Sequence, residues 1–151
     1  MSEAEDKILI QELTARYASA LDSGAKERWL ETWADMGVWD GDKRYEGREN
    51  LGKLYDDLGD RIKNRRHVVT NFVIDVEQDT AEQTCYLLIF CRHTYQLLQT
   101  GVYSDKLQRA GRHWHFMYRK LQFDGPQTKN QEKNAADTAT ADAVNPKSAT
   151  T

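Results

Sequence analysis

Three side chains in the first half of the sequence could together transfer a proton: Tyr17, Asp22 and His67. A carboxylate that accepts a hydrogen bond from one imidazole nitrogen fixes the tautomer of the ring, which leaves the other nitrogen free to act as a general base. A tyrosine hydroxyl can donate to an oxygen atom that gains negative charge. The alternative is a core histidine hydrogen-bonded to an aspartate, and the residue types and spacing by themselves favour that alternative.

A first helix must position two of these side chains. Ser2 and Glu5 form a capping-box pattern, after which apolar residues recur every four positions. Gly24 is the residue type that ends a helix in the left-handed conformation. Tyr17 and Asp22 are five residues apart, which predicts an angle of about 140° between them around the helix axis. They can therefore flank one opening.

A long strand must position His67. The stretch 65–76 is rich in Val, Ile, Phe and Thr, which is typical of a strand. Side chains alternate between the two faces of a strand, so we expect His67 to share one face with Val69 and Asn71. Both faces are largely apolar, and we expect both to be buried. A histidine and an asparagine among these apolar residues indicate a polar core network or the wall of a pocket.

The remaining pattern predicts an α+β fold. We expect a short second helix with Trp29 and Trp33 on one face, a hairpin over 38–45, and a third helix from Glu49 that stops at Gly59. The segments after the third helix are predicted to be four antiparallel strands: 66–77, 81–96, 102–108 and 113–123. Helices first and adjacent strands later favour helices packed on one concave face of a curved sheet.

Length and composition predict a single domain over 1–125 and a loose tail over 126–151, because the tail has scarcely a large apolar side chain. A net charge of -3 without a basic stripe argues against a nucleic-acid partner. No apolar run approaches the roughly 18 residues of a membrane span, and the N-terminus is acidic, unlike a signal peptide. We therefore expect a cytoplasmic protein without a membrane partner.

Cysteines and histidines of the later strands offer weaker candidates. Cys85 and Cys91 lie too far apart along one predicted strand for a disulfide, so we expect buried, inert thiols. His113 and His115 are predicted to share a face with Arg119, and cationic neighbours disfavour a bound cation. Trp114, Phe116 and Tyr118 are expected to lie on the opposite, core face. We predict no metal site and no cofactor.

The order of several short motifs resembles the SnoaL-like group of the nuclear transport factor 2-like (NTF2-like) superfamily. The resemblance covers about residues 5–124 and rests on Tyr17 to Asp22, Trp33 to Asp35 leading into Val38-Trp39, Gly47-Arg48, His67 to Asn71, Asp79 to Ala81, Tyr103 to Asp105, Arg109, Gly111-Arg112, Trp114 and Arg119. Similar members include scytalone dehydratase, the hexachlorocyclohexane dehydrochlorinase and the bile acid 7α-dehydratase. The resemblance implies a cone in which three helices and a strongly curved, mainly antiparallel sheet enclose an apolar pocket.

The resemblance also implies roles for the three candidate side chains. An aspartate at the end of the first helix and a histidine at the start of the long strand form the catalytic pair of the dehydrochlorinase and the bile acid enzyme, matching Asp22 and His67. A tyrosine of the bile acid enzyme matches Tyr17. Given this fold, a catalytic pair is favoured over a core histidine. The family's pocket arginine from the late strands has two candidates here, Arg92 and Arg119.

The expected function is therefore a small, cofactor-independent lyase or isomerase with an Asp–His dyad. The expected substrate is a small hydrophobic, cyclic or carbonyl-bearing molecule, bound by Trp39, Val69 and Asn71. The resemblance further implies a homodimer or homotrimer. The alternative is a non-catalytic subunit or ligand-binding module, similar to the β subunit of ring-hydroxylating dioxygenases, in which the same fold serves assembly.

Overall fold

Three helices pack against one curved sheet of six strands in the computed structural model, which describes residues 1–126. The helices are α1 (Glu3–Ser23), α2 (Lys26–Leu30) and α3 (Arg48–Ile62). The strands are β1 (Trp33–Asp40), β2 (Arg44–Glu46), β3 (Arg65–Glu77), β4 (Thr80–Cys91), β5 (Leu97–Ala110) and β6 (His113–Phe123). Their order in the sheet is β2-β1-β6-β5-β4-β3, with β1 parallel to β6 and the other pairs antiparallel. The predicted α+β class and mainly antiparallel sheet are confirmed, and the sheet is not closed.

Both ends of α1 form as the sequence predicts. The Ser2 hydroxyl accepts from the Glu5 backbone N–H at 3.2 Å, while the Ser2 backbone donates to the Glu5 carboxylate at 2.6 Å. At the other end Gly24 takes the left-handed conformation with φ 69° and closes the helix. Because Gly24 ends α1, it also determines where Asp22, two residues before Gly24, meets the sheet.

A bulge in β3 makes one part of the face prediction wrong. The register with β4 shifts between Thr70 and Val73, and Asn71 has a positive φ of 56°. Beyond this extra residue the alternation is displaced by one position, so Phe72 and Ile74 point inward while Asn71 and Val73 are exposed. Asn71 therefore does not share the face of His67. The outer face of β3 is not buried either, since Val68 is 40% exposed.

A second bulge in β6 reverses the predicted environment of Arg119. Leu107 of β5 pairs with Phe116, whereas Lys106 pairs with Tyr118. Met117 therefore has no partner and is the extra residue of the bulge. Arg119 consequently lies inside the fold on the same side as Phe116, and it is completely buried. Tyr118 is on the outer side. The prediction that Arg119 shares a face with the histidines of β6, and that Tyr118 belongs to the core, is wrong.

Several element ends also differ from the prediction. Trp33 opens β1 instead of lying on α2, because the helix ends at Leu30. α3 continues past Gly59, where the backbone is non-helical, to Ile62. β4 ends at Cys91, and β5 begins at Leu97 instead of at residue 102.

Three further predictions concern a membrane-spanning helix, the two thiols and the C-terminal tail. Within residues 1–126, no helix is long and apolar enough to cross a membrane. Both thiols are free, and Cys85 is buried as predicted, but Cys91 is only half-buried, so the prediction of two buried thiols is wrong for Cys91. The predicted tail, apart from Pro126, lies outside the described residues.

Candidate functional site

Asp22, near the end of α1, is in direct contact with His67, near the start of β3. Oδ1 of Asp22 lies 2.6 Å from Nδ1 of the His67 ring. The backbone N–H of His67 also donates to both carboxylate oxygens, at 3.1 and 3.2 Å. The side chains are only 6% and 11% exposed for histidine and aspartate, respectively. One carboxylate thus holds both the ring and the backbone of the histidine.

This contact determines the tautomer of His67. An ionised carboxylate only accepts hydrogen bonds, so Nδ1 carries the hydrogen that lies between ring and carboxylate. In the neutral ring Nε2 then has the free lone pair. The arrangement therefore provides an oriented nitrogen base, and the carboxylate can stabilise the imidazolium that forms when Nε2 takes a proton.

The position of Asp22 on its helix is electrostatically unfavourable. The last turn of α1 has no basic residue, and a negative charge near the C-terminus of a helix is disfavoured by the helix dipole. The ring and backbone N–H groups of His67 offset this penalty by donating three hydrogen bonds to the carboxylate. The carboxylate is thus retained at the helix end by the start of β3.

Tyr17 lies in the aromatic interior of the fold. Its ring centroid is 5.5 Å from those of Trp29 and Phe116, 6.0 Å from that of Trp33 and 6.2 Å from that of Tyr103. Burial raises the pKa of Tyr17, and this effect outweighs the opposing positive charge of Arg119. The hydroxyl therefore stays protonated at neutral pH. None of the described hydrogen bonds joins it to Asp22 or His67.

Arg119 and Asp105 form a fully buried ion pair next to Tyr17. The guanidinium Nε and Nη2 atoms lie 2.8 and 3.0 Å from the two carboxylate oxygens of Asp105. Gln83 donates to the same carboxylate at 2.8 Å and to the Thr14 hydroxyl at 3.1 Å. The guanidinium carbon lies 4.5 Å from the centroid of the Tyr17 ring. A charge buried at this depth requires such pairing, and the two opposite charges leave the network without net charge.

Three donors in this interior have no acceptor among the described residues: Nη1 of Arg119 and the indole Nε1 atoms of Trp29 and Trp33. Trp29 is fully buried and Trp33 is 4% exposed. Buried polar groups are nearly always hydrogen-bonded, so donors of this kind favour a group with oxygen acceptors beside them. The sequence did not single out Trp29 and Trp33 for this role, because core packing accounted for both rings.

The buried polar network was also missed from the sequence. Strand alternation places Asp105 on one face with Tyr103 and Leu107, and this signal could have identified a carboxylate in the core. Its partner Arg119 was one of the two candidates for the pocket arginine and is buried, whereas the other, Arg92, is exposed. Strand alternation alone placed Arg119 outside, because the bulge at Met117 reverses the alternation of β6.

The three predicted substrate-binding residues have different positions. Val69 lies on the inner face beside His67 and packs against the core. Trp39 is 7% exposed, packs against Tyr45 with ring centroids 6.2 Å apart, and covers Gly41 of the hairpin. Asn71 is exposed on the bulge of β3. Of the three, only Val69 is placed by its strand on the same face as the histidine.

Two clefts on the surface of residues 1–126 lie away from the dyad. One, of about 780 Å³, lies on the outer side of α1, and the other, of about 220 Å³, lies on the outer face of the sheet. Neither is lined by Tyr17, Asp22 or His67. The pocket expected inside the cone therefore stays a prediction. Within the described part of the chain, no group of three His, Cys, Asp or Glu side chains is arranged to hold a metal ion.

Comparison with known proteins identifies relatives of this fold. The model of the SnoaL-like domain matches residues 2–120. No curated protein matches the chain. A protein of unknown function with a cystatin-like fold from Nostoc punctiforme is 25% identical, with a TM-score of 0.78 over 86% of this chain and 98% of the other.

Two further structures come from Novosphingobium aromaticivorans. A candidate scytalone dehydratase is 20% identical, with a TM-score of 0.70 over 80% of this chain and 85% of the other. The β subunit of a candidate aromatic-ring-hydroxylating dioxygenase is 20% identical, with a TM-score of 0.66 over 79% and 89%. At this identity the two structures establish the shared fold alone.

Proposed function

The chain belongs to the SnoaL-like domain family, and we propose that it is a cofactor-independent lyase or isomerase with His67 as its base. The observation that carries this proposal is the contact of one Asp22 carboxylate with both the ring and the backbone of His67. The same contact would also satisfy a structural histidine, but a histidine that removes protons requires its tautomer to be fixed in this way, and the family membership favours that role.

In the proposed reaction, Nε2 of His67 removes a proton from a carbon atom next to a carbonyl group. The electron pair of the broken C–H bond moves toward the carbonyl oxygen, and Asp22 stabilises the imidazolium. In an elimination the electron pair then forms a carbon–carbon double bond, and a β-hydroxyl group leaves as water with the proton returned by His67. In an isomerisation the proton returns to a different carbon atom.

Donors in the interior support a substrate whose oxygen gains negative charge. Tyr17 keeps its hydroxyl protonated because burial raises its pKa. Arg119, Trp29 and Trp33 each have a buried donor atom without an acceptor within residues 1–126. Preorganised donors of this kind stabilise a developing oxyanion. The aromatic rings around Tyr17 favour a small, apolar, cyclic carbonyl compound as the substrate.

The proposal is tested by turnover of a panel of cyclic β-hydroxyketones. Wild-type protein is expected to dehydrate at least one of them. His67→Ala should lower kcat/KM by roughly 10²–10⁴-fold, the usual contribution of a general base. His93→Ala is the matched control, because His93 is exposed in the turn between β4 and β5. Equal losses in both variants, or no loss in His67→Ala, would contradict the assignment.

A second candidate function is that of a non-catalytic subunit, similar to a dioxygenase β subunit. It is favoured by the position of the described clefts, neither of which reaches His67. This candidate predicts stable co-purification with a Rieske-type large subunit when the two are co-expressed. It also predicts that His67→Ala leaves assembly and activity of the complex unchanged.

We further propose that the protein is a homodimer or homotrimer. The outer face of the sheet carries adjacent apolar side chains: Val68 pairs with Leu88, and Tyr86 pairs with Val102. Val68 is 40% and Tyr86 is 50% exposed. Contiguous exposed apolar surface of this kind is typical of an interface between subunits. The cytoplasmic location stays a prediction.

A further inference from the structure

The larger cleft carries an inference beyond the proton transfer proposed at His67. It has a volume of about 780 Å³ and lies between α1, α2 and the turn from β5 to β6. We call it the outer cleft, lined among others by Leu9, Leu13, Arg28, Arg112, His113 and His115. We propose that the outer cleft binds a small organic monoanion, with a carboxylate group attached to a flat apolar body.

The size and floor of the outer cleft suit an apolar body. Small-molecule sites commonly have volumes of roughly 300–1,000 Å³. Leu9, Leu13 and Ala20 of α1 line one wall, and Trp114 of β6 lines the opposite side. The Trp114 indole N–H is occupied by a hydrogen bond to Asp6 at 2.9 Å, and its ring lies 5.5 Å from the Arg109 guanidinium carbon. At 4% exposure the ring adds only a small apolar area to the cleft, so α1 supplies most of its apolar wall.

The charged residues of the cleft favour an anion. Three arginines line it against two glutamates, in a chain whose net charge is -3. Arg16 is paired with Glu12 at 2.6 Å. Arg28 and Arg112 form no salt bridge with any residue of the described range 1–126. Guanidinium groups bind carboxylates in a bidentate geometry, which makes these two the expected contacts of the anionic group.

His115, at the rim of the cleft, adds a pH-dependent positive charge. His113 and His115 lie two residues apart on the outer side of β6. Burial lowers the pKa of His115, the neighbouring His113 lowers it further, and Asp35 opposes both effects. Arg112 also disfavours protonation, while Glu12 and Glu31 favour it. A bound carboxylate would stabilise protonated His115, so affinity should rise as the pH is lowered below about 6.5, the ordinary pKa of histidine.

The two glutamates also limit the charge of the ligand. Glu31 lines the cleft and forms no salt bridge within the described part of the chain. A polyanion that covered the arginines would also approach this carboxylate, and like charges repel. A single carboxylate that pairs with Arg28 or Arg112 leaves its apolar body free to pack against α1. This balance favours a monoanion over a phosphate-rich ligand.

The test uses 2-naphthoate as the probe and the neutral 2-naphthylmethanol as its matched control. Calorimetric titration of the full chain should give saturable binding of the naphthoate and at least tenfold weaker binding of the alcohol. The double variant Arg28→Ala/Arg112→Ala should weaken naphthoate binding at least tenfold, because losing one hydrogen bond to a charged group raises the Kd by roughly tenfold or more. Arg61→Ala, an exposed arginine on α3, should leave it unchanged.

Amide NMR shifts locate the bound probe. Shifts confined to the region of Leu9, Ser19 and His115 would support the outer cleft. Equal affinity for the alcohol, unchanged binding in the double variant, or shifts confined to the region of His67 would each overturn the proposal. Because His67→Ala leaves the outer cleft intact, this variant should bind the naphthoate normally, whether or not the proposed reaction occurs.

Discussion

Asp22 accepts hydrogen bonds from both the ring and the backbone of His67, a residue 45 positions later in the chain, and so joins α1 to β3. The end of α1 and the start of β3 are therefore fixed to one another at a single carboxylate. The same contact orients a nitrogen base and stabilises the junction between helix and sheet. Substitution should consequently affect both stability and catalysis.

Asp22→Asn should allow the His67 ring to adopt either tautomer. An asparagine side chain can donate as well as accept, so both ring tautomers become accessible, and the hydrogen bonds to a charged acceptor are lost. We expect a loss of about 1.5–3 kcal/mol in the free energy of unfolding. Urea denaturation and ¹⁵N NMR of the imidazole measure the two effects.

The matched control for this change is Asp56→Asn. Asp56 pairs with Lys26 at 2.8 Å on the surface, where its side chain is 63% exposed. Exposed ion pairs contribute little, so stability should barely change and the spectrum of His67 should stay as in the wild type. A His67 ring that keeps one tautomer in Asp22→Asn would show that another group orients it.

Tyr17→Phe should separate catalysis from stability. The ring contacts with Trp29 and Phe116 remain, and only the weak polar contacts of the hydroxyl with Trp29 and Arg119 are lost. Stability should therefore change little, while turnover falls by roughly 10²–10³-fold if the hydroxyl stabilises an oxyanion. Tyr55→Phe should give the opposite result, because its hydroxyl donates to the Ala20 carbonyl at 3.0 Å. That loss should cost about 1 kcal/mol and leave turnover unchanged.

Arg119→Met should be strongly destabilising. It leaves the carboxylate of Asp105 buried with Gln83 as its remaining side-chain donor. Removing one partner of a buried pair typically costs about 3–5 kcal/mol. The double variant Arg119→Met/Asp105→Leu removes the stranded charge, so it should be more stable than the single variant in thermal denaturation. If the double variant is less stable than the single one, Asp105 must stabilise the fold through contacts other than its pairing with Arg119.

The two thiols should differ in reactivity. Burial raises the pKa of Cys85 to about 12, whereas hydrogen bonds from Thr94 and from the backbone of His93 lower the pKa of the half-buried Cys91. The thiolate is the reactive form, so Cys91 should be alkylated first by iodoacetamide at pH 7.5. Its rate should increase with pH until the thiol is fully ionised. Peptide mapping by mass spectrometry identifies the modified residue.

Controls for the thiol experiment use the same reagent. Cys91→Ser should remain unlabelled under native conditions, and unfolding in urea should expose Cys85 to labelling. Native labelling of Cys85 at a rate similar to that of Cys91 would show that the interior opens readily.

Tyr86→Lys should weaken self-association. Tyr86 is 50% exposed on the outer face of the sheet, and a lysine there would bury a charge in the proposed interface. Light scattering coupled to size-exclusion chromatography should show a smaller species than for the wild type. The control is Gln108→Lys, which adds the same charge at an exposed position of β5. Equal masses for all three proteins would locate the interface elsewhere.

The parts of this fold that could be predicted are those set by residues close together in the sequence. The caps of α1 depend on residues within a few positions of one another, as does the regular alternation of β4. The bulges at Asn71 and Met117 depend on how neighbouring strands pair, which a single strand does not encode. Each bulge reverses the faces that follow it. This is why Asn71 was placed inside and Arg119 outside.

The candidate dyad was predictable only in part. Residue types identified Asp22 and His67, but they favoured a core histidine until the family resemblance was added. The backbone hydrogen bond from His67 to Asp22 could not be foreseen, because it depends on the docking of α1 against β3. The indole donors of Trp29 and Trp33, which have no acceptor within residues 1–126, could not be predicted either, since packing alone explains two buried tryptophans.

Hydrogen–deuterium exchange at carbon tests the central claim most directly. A panel of cyclic ketones and β-hydroxyketones is incubated in D₂O with wild type, His67→Ala or Asp22→Asn, and deuterium incorporation beside the carbonyl is followed by proton NMR. If His67 is the oriented base, the wild type should catalyse exchange in at least one compound, Asp22→Asn should be slower, and His67→Ala should show only the uncatalysed rate. Exchange by His67→Ala at the wild-type rate, or no catalysed exchange with any compound, would contradict the account.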